Sequence, residues 1–189
     1  MRINAGKFRN HNILMTNLPT TRETSDKVRQ AIFNLIGQFF DGGIALDLFA
    51  GSGAMGLEAY SRGISHVYLN DLNKKAIDVC RANAIKLKCE NDITFLNLDY
   101  KDCIKRLSDK EIDLIFLDPP YAMQNIDEII SLIDDNNLQN SGGIISFEME
   151  KNTKCSNNIG SYVLQKDRSY GIKRVCIFKK EWWKWKYYH

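Results

Sequence analysis

Two short segments carry the residue types that chemistry needs. The first is Leu46-Asp47-Leu48-Phe49-Ala50-Gly51-Ser52-Gly53-Ala54-Met55-Gly56, an apolar run that breaks into glycines. Gly51 and Gly53 let backbone approach a ligand closely, and a helix starting there offers free N–H groups. The second is Leu114-Ile115-Phe116-Leu117-Asp118-Pro119-Pro120-Tyr121. Two prolines stop the strand ladder and deliver a carboxylate, a carbonyl and an aromatic ring to the carboxyl edge of a sheet, where open α/β sheets bind ligands. Such a group suits an exocyclic base amine, whose lone pair is delocalised into its ring. If Asp118 and the Pro119 carbonyl each accept one N–H, the nitrogen is fixed and its lone pair turns towards an electrophilic methyl, which is catalysis by positioning. Tyr121 then replaces the stacking that the base loses on leaving its helix.

The glycine segment alone supports two ligands. Gly51, Gly53 and Gly56 have the dinucleotide spacing, and Asp71 follows about twenty residues on, where a ribose-binding acid belongs. That reading is a nicotinamide oxidoreductase. Asp47, inside the strand just before the glycines, points the other way: a carboxylate there repels a pyrophosphate but suits the ammonium of a methionine moiety joined to a nucleoside. A third acid, Asp99, can accept from the adenine amine of such a cofactor or cap a helix beginning near Tyr100. A turn without function remains the bland reading of each segment.

These residues need a scaffold, and the hydrophobic pattern supplies one. Apolar runs at 44–49, 67–70, 93–98, 113–117 and 144–147 alternate with helical stripes such as Ile77, Cys80, Ala84, Leu87 and Ile126, Ile129, Ile130, Ile133. That alternation predicts a mostly parallel, doubly wound α/β sheet. Residues 162–165 and 174–178 read as a closing antiparallel pair. Ahead of the sheet, Thr24 or Ser25 caps a helix whose apolar positions are Val28, Ile32, Leu35 and Ile36, with Gly37 as its stop. The expected organisation is an N-terminal extension at 1–38, a catalytic domain at 39–181 and an aromatic, basic tail at 182–189.

At 189 residues the chain suits one domain. It begins without the apolar run of a signal peptide and holds no bilayer-spanning stretch, so a cytoplasmic protein is expected. Its five cysteines are scattered without a ligand pattern, and His11, His66 and His189 have no visible partner, so no metal is expected. The net charge of +3 hides an asymmetry. Residues 1–36 carry six basic against two acidic side chains, residues 166–189 eight against two, and the centre twelve against nineteen. Basic ends of this kind attract a phosphate backbone if they share a face, or are simply solvated.

The whole pattern resembles the RsmD family of bacterial small-subunit (16S) ribosomal RNA guanine-N2 methyltransferases. The resemblance rests on Met1-Arg2-Ile3 with Ala5-Gly6-Lys7, on residues 21–29, on residues 46–59, on Asp118 to Tyr121, and on Arg168 with Tyr170-Gly171. It implies a seven-stranded Rossmann-like sheet with an antiparallel C-terminal strand, S-adenosylmethionine as cofactor, and methyl transfer to the N2 amine of a guanine in rRNA of the small ribosomal subunit. It also implies cofactor contacts from Asp47, Phe49, Gly51, Gly53, Asp71 and Asp99, and a target base held by Asp118, Pro119 and Tyr121. Lys7, Arg22, Arg29 and Tyr170 are the expected RNA contacts of a monomer. Glu23 departs from the usual proline and Asp71 from the frequent glutamate. The tail Trp182-Trp183-Lys184-Trp185-Lys186-Tyr187-Tyr188-His189 runs past the usual end; it either stacks on RNA or packs peripherally. The rivals are adenine-N6 methylation of RNA or DNA, a nicotinamide oxidoreductase, and a non-catalytic RNA-binding module.

Overall fold

The computed structural model describes residues 1–18, 24–120 and 125–181; Arg22, Tyr121 and the aromatic tail lie outside them. The five apolar runs become strands β1 (Ile44–Asp47), β2 (His66–Asn70), β3 (Ile93–Leu96), β4 (Leu114–Leu117) and β5 (Ile144–Glu150), followed by β6 (Asn158–Ile159), β7 (Tyr162–Tyr170) and β8 (Lys173–Lys180). The helices are α1 (Asp26–Ile36), α2 (Ala54–Ser61), α3 (Lys74–Lys86), α4 (Tyr100–Arg106) and α5 (Ile126–Asp135), with a short 3-10 turn at Glu90–Asp92 ahead of β3.

One sheet runs in the order β3-β2-β1-β4-β5-β8-β7-β6. The first five strands are parallel, and β8, β7 and β6 close it antiparallel. The sheet therefore has eight strands rather than seven, because residues 158 and 159 pair with Val163 and Tyr162 as the short β6. The central strands are nearly all Ile, Leu, Val and Phe because helices cover both faces. One buried cluster joins α1, α2 and α3 to the sheet through Ile32, Phe33, Leu57, Leu69 and Ala84; the other joins α4 and α5 through Ile104, Ile130 and Ile133.

Several strands differ from their sequence limits. β1 ends at Asp47, not Phe49, as Leu48 and Phe49 already turn towards the glycines. β7 and β8 are longer than the apolar runs suggest, reaching Tyr170 and starting at Lys173. Polar cross-strand bonds extend them: Arg174 Nε and Nη2 donate to the two Asp167 oxygens at 2.8 and 2.6 Å.

The N-terminal segment is tied to α2. Asn4 and Ala5 N–H donate to the Glu58 carboxylate at 2.8 and 3.0 Å, and Lys7 N–H donates to the Ser61 carbonyl at 2.9 Å. Gly6 has a φ of +80°, and a Cβ there would sit 1.8 Å from that carbonyl oxygen, so only glycine fits. α1 starts at Ser25, whose hydroxyl accepts the Val28 N–H, and stops at Gly37, matching the expected cap and stop. No described helix is long and apolar enough to cross a membrane.

Candidate active site

The sheet order reverses between β1 and β4, and a cavity of about 450 Å³ opens there at the carboxyl ends of the strands. The two segments singled out by sequence meet in it. Asp47, Phe49, Gly51, Asp71, Asp99, Asp118 and Pro119 all line this one space. Gly51 and Asp118 thus share a rim, because β1 and β4 are hydrogen-bonded neighbours with Asp47 opposite Phe116.

On the glycine side, Asp71 accepts the Gly51 N–H at 3.0 Å and the Asn73 N–H at 2.8 Å, fastening the loop to the end of β2. Gly53 has a φ of +81° at the start of α2. Asp47, buried, accepts the Gly56 N–H at 3.1 Å. The first turn of α2 is therefore already facing a carboxylate of the protein itself, and a pyrophosphate placed there meets like charge. Asp99 caps α4 by accepting the Lys101 N–H at 2.9 Å, and it also lines the cavity. Phe49 packs against Tyr100 with ring centroids 5.9 Å apart.

On the other side, sequence reasoning missed three residues. Thr24, beside the cap of α1, donates from Oγ1 towards Glu148 Oε2 at 3.0 Å and lies 3.3 Å from Asp118 Oδ2. Lys173, at the start of β8, pairs with Glu148 Oε1 at 2.7 Å and stands 3.7 Å from Asp118 Oδ1. Burial, and next the neighbouring Glu148 carboxylate, push the Asp118 carboxyl up to about 7, with Lys173 pulling in the opposite direction. Among the described lining residues the charged groups are Asp47, Asp71, Asp99, Asp118, Glu148 and Lys173. Such a set favours a ligand bearing positive charge, hydroxyls and amines over a polyphosphate.

The expected RNA contacts separate. Tyr170 pairs with Lys173 at the end of the β7–β8 hairpin, next to the cavity. Lys7 is exposed at the C-terminal end of α2, its Nζ 3.6 Å from the Tyr60 ring centroid, at the end of that helix away from the glycine loop. Arg29 requires correction: it is fully buried, with Nε on Glu58 at 3.2 Å and Nη2 on Asp26 at 2.8 Å, and is no surface phosphate contact. The signal was present, since Arg29 lies three and four residues before Ile32 and Phe33 on the buried stripe of α1.

Comparison with known proteins gives a consistent relationship. The family model described as Conserved hypothetical protein 95 matches residues 1–179. The chain is 31% identical over 181 residues to the Haemophilus influenzae ribosomal RNA small subunit methyltransferase D, covering 95% of this chain and 93% of that one. It is 35% identical over 182 residues to Bacillus subtilis YlbH, whose name assigns it provisionally to rRNA methylation, covering 95% and 99%. The solved Escherichia coli structure of yhhF, described as a candidate methyltransferase, superposes with a TM-score of 0.82 at 25% identity, over 96% of this chain and 98% of that one. With its family model spanning nearly every residue and its fold shared with such relatives, the chain belongs to the Conserved hypothetical protein 95 family, the RsmD family of methyltransferases.

Proposed function

We propose that the chain transfers the methyl group of S-adenosylmethionine to the N2 amine of a guanine in small-subunit ribosomal RNA. The observation that carries this reading is the single cavity in which the glycine loop and Asp118 meet. Relatives named as ribosomal RNA small subunit methyltransferase D supply the substrate class.

The residues present suit the cofactor. Asp47 and the backbone around Gly51 would hold its amino-acid end, Asp71 its ribose hydroxyls, and Asp99 its adenine amine. Carboxylates outnumber cations on this lining, which favours a cationic donor over a dinucleotide. When bound, S-adenosylmethionine supplies an electrophilic sulfonium methyl.

The remaining work belongs to the chain. Asp118 and the Pro119 carbonyl accept N–H groups of the base amine and orient its lone pair. A carboxyl whose affinity for protons is raised to about 7 also suits the uptake, at an Asp118 oxygen, of the proton that a methylated amine releases. Tyr170 and the exposed Arg168, on the β7–β8 hairpin whose Lys173 lines the cavity, guide RNA to it, while Lys7 offers a more distant phosphate contact. The roles expected of Arg22 and Tyr121 fall outside the described residues.

A labelled-methyl assay offering free small-subunit rRNA, assembled small subunits and DNA side by side tests the proposal, with digestion to identify the product nucleoside. N2-methylguanosine from rRNA or subunits is expected. N6-methyladenosine, or labelled DNA alone, would replace this reading.

A further inference from the structure

The mechanism above leaves one buried acid of the cavity without a task. Glu148 sits on β5 with its side chain only 5% exposed. The parallel register Leu117 opposite Phe147 makes Asp118 and Glu148 the next pair along, on strands about 4.8 Å apart. Both line the cavity. They share two partners: Thr24 Oγ1 lies 3.3 Å from Asp118 and 3.0 Å from Glu148, and Lys173 Nζ lies 3.7 and 2.7 Å away. The one hydroxyl proton of Thr24 serves one carboxylate at a time, and each carboxylate oxygen has two acceptor sites. A second acid pressed against a first is costly to the fold, which marks the pair as functional.

Chemistry narrows what two neighbouring acceptors can read. Among bases with an exocyclic amine, adenine and cytosine place a ring-nitrogen lone pair beside that amine. Guanine places a ring N–H there, so its amine and N1 present a row of donors. The Lys173 ammonium pairs with the Glu148 carboxylate in its ionised form, which accepts hydrogen bonds and has no proton to give.

Resting on the function proposed above, we infer that Glu148 is the residue that selects guanine: its carboxylate accepts the N1–H while Asp118 and Pro119 hold the adjacent amine. Adenine or cytosine in the same place sets a lone pair against a buried carboxylate, and a site built for a hydrogen bond rejects the analogue that lacks it. Thr24 and Lys173 are the positioning residues that hold this acceptor in place.

The test uses 2-aminopurine, which keeps the amine of guanine but has an acceptor at N1. Wild-type protein first locates the methylated position on unmodified small ribosomal subunits, and RNAs are then made with guanosine or 2-aminopurine riboside at that position. Wild type should favour guanosine by at least ~100-fold in kcat/KM. Glu148→Gln, whose amide can also donate, should narrow that preference to about tenfold or less while S-adenosylhomocysteine affinity stays within about threefold. Equal wild-type rates on the two RNAs overturn the inference without any variant. So does a Glu148→Gln protein that slows on both substrates with its preference unchanged, since that is the behaviour of a residue that merely supports the pocket. Wild-type methylation of an adenine would instead sink the functional reading, and this role with it.

Discussion

Asp118 owes its character to the company it keeps. It stands at the end of a wholly buried strand, beside Glu148 and within reach of Thr24 and Lys173, and its proton affinity is raised to about 7. Two pH effects follow, with opposite signs. In the proposed mechanism the ionised carboxylate is the acceptor that orients the amine, so methyl transfer should climb as pH rises through about 7 and level off above it. Stability runs the other way. Between the ordinary carboxylate value near 3.8 and about 7, the folded chain binds more protons at Asp118 than the unfolded chain, so the fold weakens as pH rises through that window. Asp118→Asn removes the charge and should melt a few degrees higher than wild type at pH 8, with the gain absent at pH 3.5, while kcat falls by orders of magnitude. Calorimetry at the two pH values and single-turnover methylation check both halves. A variant with lower stability at pH 8 would show that Asp118 is held in place by Lys173 more than it is strained by Glu148.

Elements explain which residues the sequence could announce. Asp47, Gly51, Asp71 and Asp118 lie at the carboxyl ends of strands or in the loops that follow them, where short-range pattern predicts both the element and its rim, and the structure brings all four into one cavity. Glu148 and Lys173 meet only because β5 and β8 pair antiparallel, across more than twenty residues of chain, and no local spacing encodes that. Thr24 was legible only as a candidate cap, a task that falls to Ser25. Arg29 illustrates the same limit from the other side. Its place on the apolar stripe of α1 was visible, but its partner Glu58 on α2 was not. Glu58 collects Arg29 at 3.2 Å, Arg62 at 2.8 Å and the N–H groups of Asn4 and Ala5, so this cluster clamps the N-terminal segment and α1 onto α2. Removing one partner from a buried ion pair leaves charge uncompensated, and Arg29→Ala should cost about 3 kcal/mol in urea unfolding. The salt dependence of RNA binding should not change, because Arg29 has no exposed surface with which to meet a phosphate. A shallower salt slope with full stability would return it to the interface.

At the scale of the whole molecule, charge is sorted by position. The cavity is lined with carboxylates, so a phosphate backbone is repelled from it and only an uncharged base edge has reason to enter. The attraction for RNA must come from the flanks. Arg168 is exposed on β7, two residues before Tyr170, on the hairpin whose Lys173 belongs to the cavity wall. Lys7 stands at the far end of α2, which at 1.5 Å per residue is about 12 Å further from the glycine loop. The two cations therefore sample different lengths of RNA. On a short stem-loop containing the target base, Arg168→Ala should lower the slope of log affinity against log salt by about one, and Lys7→Ala should leave it unchanged. On assembled small subunits, where RNA extends past the cavity, both substitutions should lower the slope by about one each. Filter binding across a salt series decides it. If neither substitution alters either slope, the flanks proposed here do not face the RNA, and the base must approach the cavity from another side of the rim.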